Sequence, residues 1–119
     1  MEQLGQARLL RIFIGEKDRC EGMPLYEYIV RRAREAGLAG ATVLRGIEGF
    51  GAASRLHTAR ILRLSEDLPL VIEIADREER LLPFTEELEA IFDRAHCGGM
   101  ATLEKVDVLL YRGGPAVPG

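Results

Sequence analysis

The sequence is poor in most of the residues that announce chemistry. It has two cysteines, Cys20 and Cys97, far apart and without a CxxC pair. A disulfide framework is therefore not expected, and a reducing compartment is the simpler setting. The two histidines, His57 and His96, form no HxxxH. His57 has no Cys, Asp or Glu at a recognisable triad spacing, so catalysis is not expected from it. His96 and Cys97 adjoin near an expected helix end, but a metal site needs more ligands than these two. Lysine is scarce: Lys17 and Lys105 stand against 16 basic residues in all. Arginine suits forked contacts to carboxylate or phosphate, and a GC-rich genome gives the same bias. The formal charge of -3 lacks the broad attraction that nucleic acid demands, so no nucleic-acid partner is expected. No stretch approaches the roughly 18 apolar residues of a membrane span. The segment Met1–Gly15 has no signal-peptide layout, and a cytoplasmic protein is expected. No GK[ST] follows a glycine run and no GxGxxG opens a helix, which excludes the Walker and dinucleotide fingerprints.

What is present is an ordinary globular balance. The 119 residues are 47% hydrophobic and 29% charged. That fits one domain, taken as residues 1–112 with a flexible tail at 113–119, and a core modest enough to be completed by oligomerisation. Leu10, Ile12 and Ile14 alternate with Leu9, Arg11 and Phe13, which predicts a strand over Arg8–Ile14. Gly15–Gly22 reads as a polar turn. Pro24 suits the first turn of a helix, and Leu25, Tyr28, Ile29, Ala33 and Ala36 recur at helical spacing up to the stop at Gly37. A second strand is expected over Ala41–Ile47, resuming at Ile61–Leu64, and a third over Leu70–Ile74. Asp76 is a candidate cap for a second helix carrying Leu81, Leu82, Leu88, Ile91 and Phe92 and ended by Gly98 and Gly99. Thr102–Tyr111 reads as the last strand, with Val106, Val108 and Leu110 on one side. The order βαββαβ implies an α+β, ferredoxin-like fold, a four-stranded antiparallel sheet with two helices on one face. The other face, expected to carry Leu9, Phe13, Leu109 and Tyr111, is partly apolar and favours self-association.

The stretch Leu38-Ala39-Gly40-Ala41-Thr42-Val43-Leu44-Arg45-Gly46-Ile47-Glu48-Gly49-Phe50-Gly51 is followed by Arg55, His57-Thr58 and Leu64-Ser65-Glu66-Asp67-Leu68-Pro69. It is similar to the region of PII signalling proteins that leads into their T-loop, and closer still to the PII-like family catalogued as domain of unknown function 190. Ile14-Gly15-Glu16 and Thr102-Leu103-Glu104-Lys105-Val106 fit the same pattern, so the resemblance covers residues 8 to 111. It implies a PII-like homotrimer with the sheets turned inward. It also implies a small-molecule effector, with an adenine nucleotide as the candidate, held between subunits. The loop of residues 50–68 would then address a partner protein, with a membrane transporter or channel as the candidate. A regulatory rather than enzymatic role follows. The alternative is a structural or metal-binding trimer, like metal-tolerance proteins of the same fold.

The candidate ligand-binding residues are Arg45, Gly49, Phe50, Gly51, Arg55, His57 and Arg112. Gly49-Phe50-Gly51 matches the T-loop base, where glycine lets backbone N–H groups approach a ligand; the same glycines would also suit a bulge leaving a strand. Arg55, Arg60, Arg63 and His57 either read an anionic ligand or partner, or form a solvated basic loop. Met100 stands near the place of a phosphate-contacting lysine of PII proteins, and Tyr111 and Arg112 near two arginines. Each charged donor lost removes about 1.5–3 kcal/mol, so the grip on ATP is reduced. The loop contains no tyrosine for nucleotidylation.

Overall fold

The structure is a computed structural model and describes residues 5–49 and 67–114. Its elements are β1 (Gly5–Gly15), β2 (Arg19–Cys20), β3 (Met23–Pro24), α1 (Leu25–Glu35), β4 (Thr42–Arg45), β5 (Pro69–Asp76), α2 (Glu78–Ala95) and β6 (Met100–Val108). The large sheet runs β4-β5-β1-β6 and every pairing is antiparallel. This is the expected ferredoxin-like arrangement.

Alternation along the central strands decides which face is buried. Leu10, Ile12 and Ile14 of β1 and Leu70, Ile72 and Ile74 of β5 point to one side. There they form one core with Leu25, Ile29 and Ala33 of α1 and Leu81, Phe84, Leu88 and Ile91 of α2. Each such leucine, isoleucine or phenylalanine side chain contributes about 1.5–3 kcal/mol on removal from water. Among the described residues no helix packs on the opposite face. Leu9, Arg11 and Phe13 stand there, facing Ala75, Glu73 and Val71 of β5 and Glu104, Thr102 and Met100 of β6. Arg11 reaches Glu73 at 2.9 Å and Glu104 at 2.7 Å, a three-charge link across β5, β1 and β6. Both carboxylates raise the guanidinium's pKa, the hydrogen bond to Glu73 first. Leu109 lies beyond the end of β6, 85% exposed, and Tyr111 turns to bond the α1–β4 connection.

Several boundaries differ from expectation. The turn after β1 contains the hairpin β2–β3. Pro24 is the residue before α1, in an extended conformation, rather than part of its first turn. α1 ends as expected at Gly37, with φ +76. The N–H groups of Gly37 and Leu38 close on the carbonyls of Arg34 and Ala33, a Schellman motif. Ala36 is exposed there. α2 ends earlier than Gly98, because His96 takes the left-handed conformation (φ 53) and lets Cys97 N–H bond the Phe92 carbonyl. Leu82 is 46% exposed, whereas Phe84, not singled out by the spacing, is core. Pro83 lies within α2. β6 stops at Val108, leaving Leu110 63% exposed.

Asp76 is the sharpest departure. It does not cap α2, whose N-cap is Arg77 without a side-chain bond. It is wholly buried, and its carboxylate accepts the N–H of Ala39 at 2.9 Å and of Arg77 at 2.7 Å. It thus ties the α1–β4 connection to the end of β5.

Candidate functional site

Two ends of the sheet gather different groups. At one end β1, β4 and β5 meet where the chain leaves toward residues 50–66 and returns. Pro69 is the hub. It pairs with Gly15, and its carbonyl accepts Gly46 N–H at 2.7 Å. A Cβ on Gly46 would lie 2.8 Å from the Pro69 ring, one on Gly49 (φ +153) 3.1 Å, and one on Gly15 2.7 Å from the Asp67 carboxylate. These glycines lack side chains because other parts of the chain approach them.

The same end is rich in carboxylates. Asp67 accepts Lys17 N–H at 2.8 Å, and Glu16 N–H donates to the Leu68 carbonyl at 2.8 Å. Asp18 accepts Gly15 N–H at 2.9 Å. Burial raises the pKa of Asp18, the Gly15 N–H opposes that rise, and Asp67 adds to it. The Cys97 thiol is likewise pushed up, by burial first and then by Asp18. Glu16 pairs with Arg45 at 2.6 Å. Met100 begins β6 at this end, 55% exposed, and Gly99 is wedged against Phe92 and the Phe13 carbonyl.

At the other end, the α1–β4 connection is held by Asp76, by the Arg80 guanidinium on the Gly37 carbonyl, and by Tyr111 Oη on the Ala39 carbonyl at 3.2 Å. Here a cleft of about 280 Å³ opens between Val30, Ala33 and Arg34 of α1 and the segment Leu38–Ala41. Arg112 follows Tyr111 and is exposed at this end.

The sequence-derived ligand set is therefore divided. Arg45 and Gly49 lie together at the loop end, while Arg112 lies at the cleft end. From Leu70, which pairs with Arg45, to Asp76 at the cleft end is six steps of β5, roughly 20 Å at about 3.3 Å per residue. Phe50, Gly51, Arg55 and His57 lie outside the described residues, as do Arg60, Arg63, the strand expected at Ile61–Leu64 and the tail at 115–119. Glu16, Asp67 and Asp76 were not among the expected site residues, because their roles depend on partners distant in sequence; nor was Asp18, which closes a local turn on Gly15. Among the described residues no three His, Cys, Asp or Glu side chains converge as metal ligands, and no helix is long and apolar enough to cross a membrane.

The sequence profile of the DUF190 family, described as Uncharacterized ACR, matches residues 7–108. A UPF0166 protein of Aquifex aeolicus is 41% identical over 102 residues, 86% of this chain and 92% of that one. A UPF0166 protein of Methanocaldococcus jannaschii is 40% identical over 81 residues, 66% of this chain and 74% of its own. Among solved structures, CPII of Thiomonas intermedia K12, a nitrogen regulatory PII-like protein bound to ADP, AMP and bicarbonate, aligns with a TM-score of 0.63. It is 18% identical, over 87% of this chain and 88% of that one. A putative PII-like signaling protein of Thermus thermophilus aligns with a TM-score of 0.62 at 20% identity, over 90% of this chain and 93% of that one. At these identities the two structures speak for the fold alone. With the profile spanning nearly all of the sheet and both helices, the chain belongs to the DUF190 family and has a PII-like fold.

Proposed function

We propose that this protein is a cytoplasmic regulatory binding module. It senses a small effector between copies of itself and signals through residues 50–68 to a partner protein. The observation that carries this reading is the division of candidate ligand groups between opposite ends of the sheet. With their ends of the sheet roughly 20 Å apart, Arg45 and Arg112 do not converge on one small anion within a single chain. Two copies packed side by side, loop end against cleft end, can enclose one. The sheet face on which no described helix packs supports assembly, since it carries Leu9, Phe13 and Val71 around a charge link already satisfied within the chain. A homotrimer is the assembly favoured. The adenine nucleotides bound by CPII make ADP and AMP the first effectors to try, with bicarbonate beside them. The role is binding rather than catalysis.

The test combines sedimentation with a thermal-shift and calorimetric screen of ADP, AMP, ATP and bicarbonate. Saturation at 100 times Kd stabilises the native state by about 2.7 kcal/mol, an easily measured rise in Tm. A monomer at micromolar concentration that no ligand in the screen stabilises is the result that refutes the proposal.

A further inference from the structure

Arg45 is the last residue of β4, and Gly46, next along, is hooked to Pro69. The arginine side chain is 63% exposed, yet its guanidinium is already engaged by the carboxylate of Glu16 at 2.6 Å. Glu16 is not free to wander. Its own N–H is fixed to the Leu68 carbonyl, and that of Lys17 to Asp67. The Glu16 side chain is 27% exposed, more sheltered than its partner. The corner formed by residues 15–18, Arg45 and Asp67 holds three carboxylates (Glu16, Asp18, Asp67) against two cations (Lys17, Arg45), a formal charge of -1. An anion approaching Arg45 thus meets an occupied guanidinium and a like-charged surround.

From this arrangement we infer that Glu16 is an internal occupant of the anion position on Arg45, which an effector's anionic group must displace. The inference rests on the effector reading above and adds its selectivity. A tethered carboxylate competes at high effective concentration. A free monocarboxylate offers Arg45 nothing that Glu16 does not, and is excluded. A di- or polyphosphate carries more charge and makes the forked, charge-assisted contact that arginine favours, and it displaces Glu16. The exposed Glu16–Arg45 pair is weak enough for such an exchange.

Pyrophosphate and acetate are the probes, titrated calorimetrically at fixed ionic strength into the full chain and into E16Q and R45Q, each first checked for a cooperative melt. The expected result is that E16Q binds pyrophosphate about two- to fivefold more tightly than the parent, the ratio equivalent to one exposed ion pair. E16Q should also gain measurable acetate binding, and R45Q should lose both. If E16Q binds pyrophosphate equally or more weakly, the pair is a brace for the end of β4 and the inference is overturned while the effector reading stands. If neither probe binds but an adenine nucleotide does, the anion position is elsewhere and the inference is again overturned. If no ligand of either experiment binds, the effector reading falls, and this inference with it.

Discussion

Replacing Gly46 by alanine tests the claim that Pro69 is the hub of the loop end. The new Cβ would stand 2.8 Å from Pro69 Cγ, against the roughly 3.5–4.0 Å at which carbon atoms rest. The proline ring cannot rotate away, and Pro69 is paired with Gly15 on its other side. Relief requires β4, an edge strand, to swing outward and lose the 2.7 Å bond from Gly46 N–H to the Pro69 carbonyl. Overpacking of this kind destabilises by about 1–3 kcal/mol. For a chain of this length the unfolding entropy converts each kcal/mol into about 4 °C, so Tm should fall by about 4–12 °C. Melts are compared at one protomer concentration, because assembly would make Tm depend on it. Gly40→Ala is the control: its Cβ would meet nothing within 4 Å, so Tm should hold or rise slightly. Pro69→Ala removes Cγ, and in that background Gly46→Ala should become nearly silent. Equal melting of the two glycine variants, or an additive cycle with Pro69→Ala, would refute the reasoning.

Two further outcomes follow from the charges. On the proposed assembly through the sheet face, Arg11→Met should weaken self-association, because Glu73 and Glu104 are left together without their shared cation, and adding Glu73→Gln and Glu104→Gln should restore it; sedimentation of the single and triple variants checks this. Asp18→Asn addresses pH. The folded pKa of Asp18 lies above its unfolded value, chiefly through burial, so the native state holds the proton longer and this group's contribution is lost as pH rises from about 3.9 through the folded value. Urea melts at a series of pH values should show the variant gaining on the parent across that window, since asparagine can still accept the Gly15 N–H; a difference independent of pH would contradict the assignment.

What could be read from the sequence is what one-sided burial imposes. The alternation of Leu10, Ile12 and Ile14 and the helical spacing of Leu25, Ile29 and Ala33 are repeated along an element, and so they survive without knowledge of neighbours. The misread features depend on a single distant partner or too few residues. β2 and β3 have two residues each, too short to show a period. Asp76 looks like a cap by position, but Ala39, across from it in space, claims its carboxylate. His96 ends α2 by adopting a left-handed conformation that composition assigns to the glycines after it. The glycines of the loop end carry the same lesson into the site. Their spacing says that something must come close, but not what. At Gly46 and Gly49 the close neighbour is Pro69, so these positions serve the chain's own packing. Arg45 at this end has an exposed guanidinium, and it is already paired to Glu16. On the proposed reading, a ligand at this end competes with Glu16 for Arg45 rather than filling a glycine cradle.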